Sequence, residues 1–467
     1  MSERYHAIPR HLFNTLAAGG GGPEAISVLA AAEHSKHLLL LRGVWSAAQG
    51  AGPAQAECAR LGWEVLTEVD RHDRDAAAAV TKYPAVGAWA LNALRTPGTS
   101  RTPDGDGRAR ESGPARLAAV AAAAALRSGI DAELPVLPVA GTVSLPSLGT
   151  VRVDADAAEV RTRAGRAEVR WARGRVEVPL DTQQDRPGWL GIRGCRAGGL
   201  DAVIEDLDPF RMPPEVSGLA PRLTAREAHD WAATLRQGWH LLEAGHPAIA
   251  AEAAAAVSVI VPLGRSSHDQ LSSSAPDTFG AVAMSAPTDP VICAVTLAHE
   301  VQHLKLCAVL DIVRLTLPDD DRRYYAPWRD DPRPAAGLLQ GAYAYLGVTE
   351  FWRRQRRLAT GAARLQADSE FARWRAGTVR VIDTLLSSGR LTSAGTDFVQ
   401  GMSGTADGWA VEPVPARARA IALRKSRSHL RRWERNHGLV ALLASGPSDR
   451  RRVEVEIDSQ SGGGGLR

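Results

Sequence analysis

The sequence predicts an α+β protein that is mostly helical and carries a small antiparallel β-rich module. Two patterns support this class: apolar residues recur at helical spacing near both ends, and short β-branched runs alternate at period two between them. The chain has 467 residues, of which 45% are hydrophobic and 23% charged, so it is globular and long enough for two or three domains. A third observation, an HExxH motif inside a helical segment, points to a functional helix.

The elements follow in four regions. Region 1–130 is predicted to be helical, because apolar residues recur every three or four positions and an alanine-rich run begins at Leu117. Region 131–207 is predicted to be the β-rich module, because runs such as AEVRTR and GRVEVPL are punctuated by Gly and Pro. Region 208–445 is predicted to be a mainly helical catalytic region, and 446–467, which ends in SGGGGLR, a flexible tail.

Composition argues against several function classes. No stretch approaches about 18 uninterrupted apolar residues, so we expect no membrane span, and the N-terminal MSERYHAIPRHLF lacks the basic-then-apolar run of a secretory signal. We therefore expect a cytoplasmic protein. The four cysteines form no CxxC pair, which argues against a zinc ribbon or a disulfide framework. The net charge is only +4 and basic residues are not interleaved with aromatics, so nucleic acid is not an expected partner.

The strongest functional signal is the HExxH motif formed by His299, Glu300 and His303. Asp289 followed by proline is typical of a helix start, and the spacing of later apolar residues predicts a buried helix over about 290–312. Residues four apart share one helix face, so the two imidazoles can bind one metal ion. The alternative is a pair of packed histidines, but burying three polar side chains costs several kcal/mol unless each is hydrogen-bonded.

Two histidines leave a metal site incomplete, so a third protein ligand is expected on a second helix packed against the first. The segment 337–358 is predicted to be this helix. Positions 340, 343, 347, 350 and 354 share one face of it, and Glu350 is the carboxylate on that face. We predict Glu350 as the third ligand. A surface ion pair between Glu350 and Arg354 is the alternative interpretation, and Gln340 and Tyr345 are weaker ligand candidates.

The segment between the two helices is a loop by its prolines, yet it is dense in aromatic and arginine side chains. Arg329 or Arg333 could hold a co-substrate carboxylate with two parallel hydrogen bonds. The alternative is a rigid connector with Arg–Asp pairs. Upstream of the motif, the polar residues 272–274 are expected to line the cleft. The aromatic residues predicted to bind substrate are Tyr324, Tyr325, Trp328 and Tyr343.

From the residues alone, two enzyme classes remain open. In a zinc metalloprotease, His299, His303 and a carboxylate would bind zinc, and Glu300 would take a proton from the water that attacks a peptide carbonyl. In an oxygenase, the same histidines and one carboxylate would form a facial triad for Fe(II), with positions left for a 2-oxo acid and dioxygen. A third possibility is a non-catalytic peptide-binding partner with a structural metal, whose β-rich module pairs with an extended peptide.

Longer runs around the motif carry a resemblance to a known family. AHEVQHLKLCAVLDIVRL and YYAPWRDDPRPAAGLLQGAYAYLGVTEFWR resemble the HEXXH-motif peptide-modification family, whose members accompany gene clusters for ribosomally made, post-translationally modified peptides. The likeness extends to HLFNTLAAGGGG, LPSLGTV, DLDPFR and SSSAPDTFGAV. It covers most of positions 8–360.

The resemblance implies an iron- and 2-oxoglutarate-dependent peptide β-hydroxylase. His299 and His303 match the motif histidines and would hold Fe(II), with zinc as the alternative metal. Glu300 matches the motif glutamate and would orient the site rather than activate water. The implied partner is a ribosomally synthesised precursor peptide. Because some members are fused to radical-SAM peptide maturases, such a maturase of the same pathway is a further expected partner.

Overall fold

The computed structural model describes residues 6–95, 113–264 and 271–444 of the chain. Long helices dominate these ranges and the sheets are small, which confirms the prediction of an α+β, mostly helical fold. The tail predicted at 446–467 lies outside the described residues. None of the described helices is long and apolar enough to cross a lipid bilayer.

The chain folds into two compact units, which are described separately. The first unit comprises Met1–Ile8 and Gly22–Ile312, and the second comprises Pro9–Gly21 and Val313–Arg467. The HExxH motif therefore belongs to the first unit, whereas the predicted ligand Glu350 belongs to the second.

The first part of the chain is helical. Its helices are α1 (Arg10–Ala17, in the second unit), α2 (Gly22–Ala47), α3 (Pro53–His72), α4 (Arg74–Thr81), α5 (Pro84–Arg95) and α6 (Arg116–Ser128), with a 3-10 turn at Ala48–Gly50. The strands that follow are β1 (Ala132–Val136), β2 (Thr142–Leu145), β3 (Gly149–Arg152), β4 (Ala158–Arg163), β5 (Arg166–Trp171), β6 (Gly174–Val178), β7 (Trp189–Gly191), β8 (Arg193–Ala197) and β9 (Leu200–Ile204).

The remainder of the first unit mixes helices and strands and ends with the motif helix. Its elements are α7 (Ala225–Gly245), α8 (Pro247–Ala256), β10 (Val259–Leu263), β11 (Ser272–Ser273), β12 (Ala281–Ser285) and α9 (Pro290–Ile312). The second unit continues with α10 (Ala335–Leu358), α11 (Gly361–Ser387), α12 (Ser393–Ala410) and α13 (Ala416–Ala444).

Seven of the 13 residues of helix α6 are alanine, which has the highest helix propensity and a very small side chain. It ends at Gly129, whose left-handed φ of 75° is the usual C-terminal cap geometry. It packs against α3, where Gly62 faces its backbone. A Cβ on Gly62 would lie 2.6 Å from the nitrogen of Ala118, so this close approach requires glycine.

We expect Gly62→Ala to lower the free energy of unfolding by about 1–3 kcal/mol, because the added methyl group collides with a backbone that cannot rotate away. Gly404→Ala is the matched control. It adds the same group inside α12 at a position with no atom within 4 Å, where helix propensity predicts a gain of about 0.5–1 kcal/mol. Chemical denaturation of both variants checks the prediction, and equal effects of the two substitutions would contradict it.

The strands of the first unit form three sheets in the described residues. Strands β1-β4-β5-β6 and β2-β3-β7 form antiparallel sheets, and the third has the order β8-β9-β10-β12-β11. The pairs β9–β10 and β10–β12 of this third sheet are parallel. Region 208–445 is mainly helical over its described residues, but it also contributes strands β10, β11 and β12. The apolar runs VIVPL and AVAMS are buried throughout, and continuous apolar runs do not show by periodicity whether they form a strand or a buried helix.

The second unit consists of helices joined by loops over its described residues. Helix α11 packs against α10, α12 and α13, and α1 packs against α12. An aromatic cluster forms part of this core: Phe13 and Phe398 lie 5.5 Å apart between ring centroids, and Tyr343 lies 5.3 Å from Phe398. Ring pairs at these distances add to the stabilisation that burial alone supplies.

Candidate metal centre

The motif lies on α9, whose start is capped as the sequence predicts. The Asp289 side chain accepts hydrogen bonds from the backbone nitrogens of Val291 (2.8 Å) and Ile292 (2.9 Å), and Pro290 is the first helical residue. This cap satisfies amide groups that have no partner within the helix. The helix covers Pro290–Ile312, which confirms the predicted span.

The two motif histidines face each other across one helical turn. The Nε2 atoms of His299 and His303 are 3.1 Å apart, and their ring centroids are 4.7 Å apart at an interplanar angle of 72°. The side chain of His299 is 22% exposed, so the pair is neither fully buried nor free in solvent. The structure thus brings together the two residues predicted to share a metal ion.

This separation fits a shared metal ion. Two nitrogens that each lie about 2.1 Å from one ion are about 3.0 Å apart at a right angle and about 3.4 Å apart at the tetrahedral angle. The observed 3.1 Å lies between these values and nearer the first. The two nitrogens are therefore placed to bind a six-coordinate ion as they stand. Binding a tetrahedral ion would require the two rings to move slightly apart.

Burial also keeps the His299 ring in the protonation state that binds metal ions. Burial, followed by the neighbouring His303, lowers the pKa of His299 to about 4, and Glu300 opposes this shift. The imidazole is therefore neutral near pH 7, which is the form that binds metal ions.

Glu300 is buried beside the histidine pair and is held by a polar residue from the loop before the helix. The Ser274 hydroxyl donates a hydrogen bond of 2.6 Å to Oε2 of Glu300, and Oε1 lies 3.8 Å from Nε2 of His299. Ser274 follows β11, which pairs with β12 and so brings the loop to the motif helix. Of residues 272–274, which were expected to line the cleft, Ser274 thus contacts a motif residue.

We expect Ser274→Ala to weaken metal binding or turnover by about 10–100-fold, the usual effect of removing a hydrogen-bond partner of a site residue. The buried Glu300 would lose the hydrogen bond that fixes its orientation. Ser273→Ala is the matched control, since it removes an equivalent hydroxyl group from the preceding residue. Metal titration and initial rates of all three proteins check the prediction, which fails if Ser274→Ala behaves like the wild type.

Glu350, the predicted third ligand, lies on α10 in the second unit. Its Oε2 is 3.1 Å from Nη1 of Arg353, whose Nε pairs with Glu412. The structure thus gives Glu350 an ion-pair partner three residues later on the same helix. The metal-binding role of Glu350 stays a prediction.

The loop before α10 contains Arg–Asp pairs, as expected if it is a rigid connector between helices. Arg329 and Arg333 both pair with Asp331, at 2.7 Å and 2.9 Å. The backbones of Tyr324 and Arg333 exchange two hydrogen bonds, which close the loop. These contacts favour a rigid connector, and binding of a co-substrate by Arg329 or Arg333 stays a prediction.

The predicted substrate-binding aromatics lie in different environments within the second unit. The Tyr325 hydroxyl is 2.8 Å from Nδ1 of His429, and Trp328 stacks on Tyr345 with ring centroids 4.6 Å apart. Tyr324 is buried. Tyr343 is fully buried and its hydroxyl donates a hydrogen bond to the carbonyl of Leu16, so this side chain belongs to the core of the second unit.

Within residues 6–95, 113–264 and 271–444, no group of three or more His, Cys, Asp or Glu side chains is arranged to hold a metal ion. Comparison of the sequence with protein-family models and with curated proteins finds no match.

Proposed function

We propose that this chain is an Fe(II)- and 2-oxoglutarate-dependent hydroxylase that acts on the side-chain β carbon of a residue in a ribosomally synthesised precursor peptide. The observation that carries the proposal is the 3.1 Å separation of the Nε2 atoms of His299 and His303. Nitrogens this close on one helix face can bind the same ion. The choice of iron and 2-oxoglutarate rests on the resemblance of the surrounding sequence to peptide β-hydroxylases.

In this proposal the protein binds and orients, while the bound groups carry out the oxidation. Iron with 2-oxoglutarate and dioxygen supplies the conversion of a C–H bond to C–OH, with succinate and carbon dioxide as further products. His299 and His303 would hold the metal as neutral rings. Glu300, oriented by Ser274, would place a negative charge beside the cation.

Two parts of the site stay predictions from the sequence. Glu350 is the proposed third ligand, and Arg329 or Arg333 is the proposed partner of the far carboxylate of 2-oxoglutarate. A guanidinium group suits that task because it offers two parallel N–H donors to a carboxylate.

The proposal predicts that succinate forms together with a peptide product heavier by one oxygen atom. The assay uses the full chain, ferrous iron, 2-oxoglutarate and a precursor peptide encoded near its gene, with mass spectrometry of both products. Omission of 2-oxoglutarate should abolish the peptide product, because the co-substrate supplies the electrons that reduce the second oxygen atom.

Zinc metalloproteolysis is the second candidate, favoured by the position of Glu300 beside the histidine pair. It predicts cleavage of the peptide with zinc and without 2-oxoglutarate, and that result would replace the hydroxylase proposal. A chain that binds the peptide and a metal but produces neither outcome would support the non-catalytic peptide-binding alternative.

The proposal includes a partner and a compartment. A precursor peptide made by ribosomes would meet this enzyme in the cytoplasm, where it is synthesised. A radical-SAM peptide maturase of the same pathway would act on the same peptide.

A further inference from the structure

Helix α13 is strongly basic over its described side chains. Residues 416–438 contain eight arginine and lysine residues and one acidic residue, Glu434. The basic residues are Arg417, Arg419, Arg424, Lys425, Arg427, Arg431, Arg432 and Arg435. Such an excess of positive charge on one helix attracts anionic ligands.

Three of these arginines form a row on one face of the helix. Arg417, Arg424 and Arg431 are seven residues apart, which is close to two helical turns. All three are exposed. Within the described residues, none of the three has a carboxylate partner, in contrast to Lys425, which pairs with Glu370 at 2.7 Å. We call Arg417, Arg424 and Arg431 the arginine row.

The middle of the row borders a cleft of about 350 Å³ between α11 and α13. The cleft is lined by Arg373, Arg424, Lys425, Ser428, His429 and Arg432. Four of these six side chains carry a permanent positive charge. The basic side chains of the cleft and the arginine row therefore form one continuous basic surface.

Carboxylates of the protein itself neutralise this surface only in part. Glu370 pairs with Lys425, and Asp330 lies 3.0 Å from Arg432 and 3.4 Å from Nε2 of His429. Arg424 keeps an unneutralised charge at the cleft. Burial first, and then the charge of Arg432, lowers the pKa of His429, as expected where positive potential remains.

Aromatic side chains pack around His429, which is one of the residues that line the cleft. His429 is buried and contacts the Tyr325 hydroxyl, and the Tyr325 ring packs edge-on against Trp433 at 5.2 Å. The described residues that line the cleft include no Trp, Tyr or Phe, so the cleft lacks the large aromatic side chains on which nucleic-acid bases stack. The surface thus offers cations in a row rather than a stacking platform.

We propose that the arginine row and the adjoining cleft bind an acidic segment of the peptide substrate in an extended conformation. The spacing supports this partner. Arginines seven residues apart are about 10 Å apart along a helix axis. This matches an extended chain of polyproline II form, in which every third side chain lies on the same side and successive ones are about 9 Å apart. A peptide with Asp or Glu at about every third position therefore pairs with the whole row. The identification of this peptide as the substrate rests on the proposed function.

The test measures binding alone, with the metal-free full chain and a chelator present. The probe is a fluorescein-labelled twelve-residue peptide with glutamate at every third position, followed by fluorescence anisotropy in about 50 mM salt, where exposed charges are weakly screened. We expect the variant R417S/R424S/R431S to bind this peptide at least about tenfold more weakly than the wild type. The same peptide with glutamine in place of glutamate should bind the wild type at least about tenfold more weakly.

The matched control is R163S/R166S/R173S, which removes three exposed arginines of the β-rich part and changes the net charge equally. It should bind the acidic peptide within about twofold of the wild type, because long-range charge effects are smaller than direct pairs. Substitution of the row with lysine should retain most of the affinity. Thermal unfolding of every variant should match the wild type, since the replaced side chains are exposed.

Two results would overturn the proposal. One is equal binding of the acidic peptide by the row variant and the wild type. The other is tighter binding of a twelve-nucleotide single-stranded DNA than of the acidic peptide, which would assign the surface to nucleic acid. Neither measurement involves iron or 2-oxoglutarate. A negative result in the binding test would therefore not contradict the hydroxylase proposal, and absence of hydroxylation would not contradict the binding result.

Discussion

His299→Ala and His303→Ala are each expected to abolish stable metal binding and to lower peptide oxidation by more than about a hundredfold. Loss of a residue that only orients a metal ligand commonly costs about 10–100-fold, so loss of a ligand itself should cost more. The Nε2 atoms lie 3.1 Å apart, and removal of either leaves a single donor from the motif. Metal content after gel filtration and initial rates of succinate formation check the prediction.

The control for these variants is His240→Ala. This histidine is exposed on α7, and the same substitution there should leave metal content and rate unchanged. The interpretation of the motif would be contradicted if either motif variant retained full metal content and full activity. Unfolding curves of the three variants separate loss of the site from loss of the fold.

Lys305→Ala is expected to lower the free energy of unfolding by about 3–5 kcal/mol, which is the usual cost of breaking a buried ion pair. Lys305 lies on the motif helix, is fully buried, and pairs with Glu252 of α8 at 2.7 Å. Its loss would leave the buried carboxylate of Glu252 with the backbone N–H of Gly22 as its remaining hydrogen-bond donor among the described residues. Chemical denaturation of the variant measures the change.

The double variant Glu252→Gln/Lys305→Met is the control for this substitution. It removes both charges, keeps an oxygen acceptor for the Gly22 N–H and preserves side-chain volume, so most of the lost stability should return. If Lys305→Ala cost less than about 1 kcal/mol, the ion pair would not be important for holding α8 against the motif helix.

Local sequence signals predicted the motif helix well, because each depends on residues close together in the chain. The Asp289 cap involves residues two and three positions later, and the histidine pair involves residues four apart. These short-range interactions follow from helix geometry alone. The predicted span and the facing imidazoles could therefore be read without knowledge of the tertiary fold.

Contacts between distant segments could not be predicted in the same way. Lys305 is a charged residue within the apolar run HLKLCAVL, which indicates that it has a buried partner. Nothing in the sequence identifies that partner as Glu252. Ser274 was one of several polar residues before the helix, and only the pairing of β11 with β12 selects it as the partner of Glu300.

The parallel strands and the arginine row were missed for different reasons. The runs VIVPL and AVAMS are apolar throughout and lack the alternation that identifies a strand exposed on one face. The row was hidden because a net charge of +4 averages over the whole chain, whereas α13 concentrates its arginines on an exposed face. Charge counted over each predicted helix would have revealed it.

Metal analysis of anaerobically prepared protein, followed by 2-oxoglutarate turnover on the same sample, tests the central claim most directly. The account predicts one ferrous ion per chain after gel filtration, and succinate formation in proportion to the iron content. A chain that retains no iron under these conditions, or that forms succinate at full rate after both motif histidines are replaced by alanine, would contradict it.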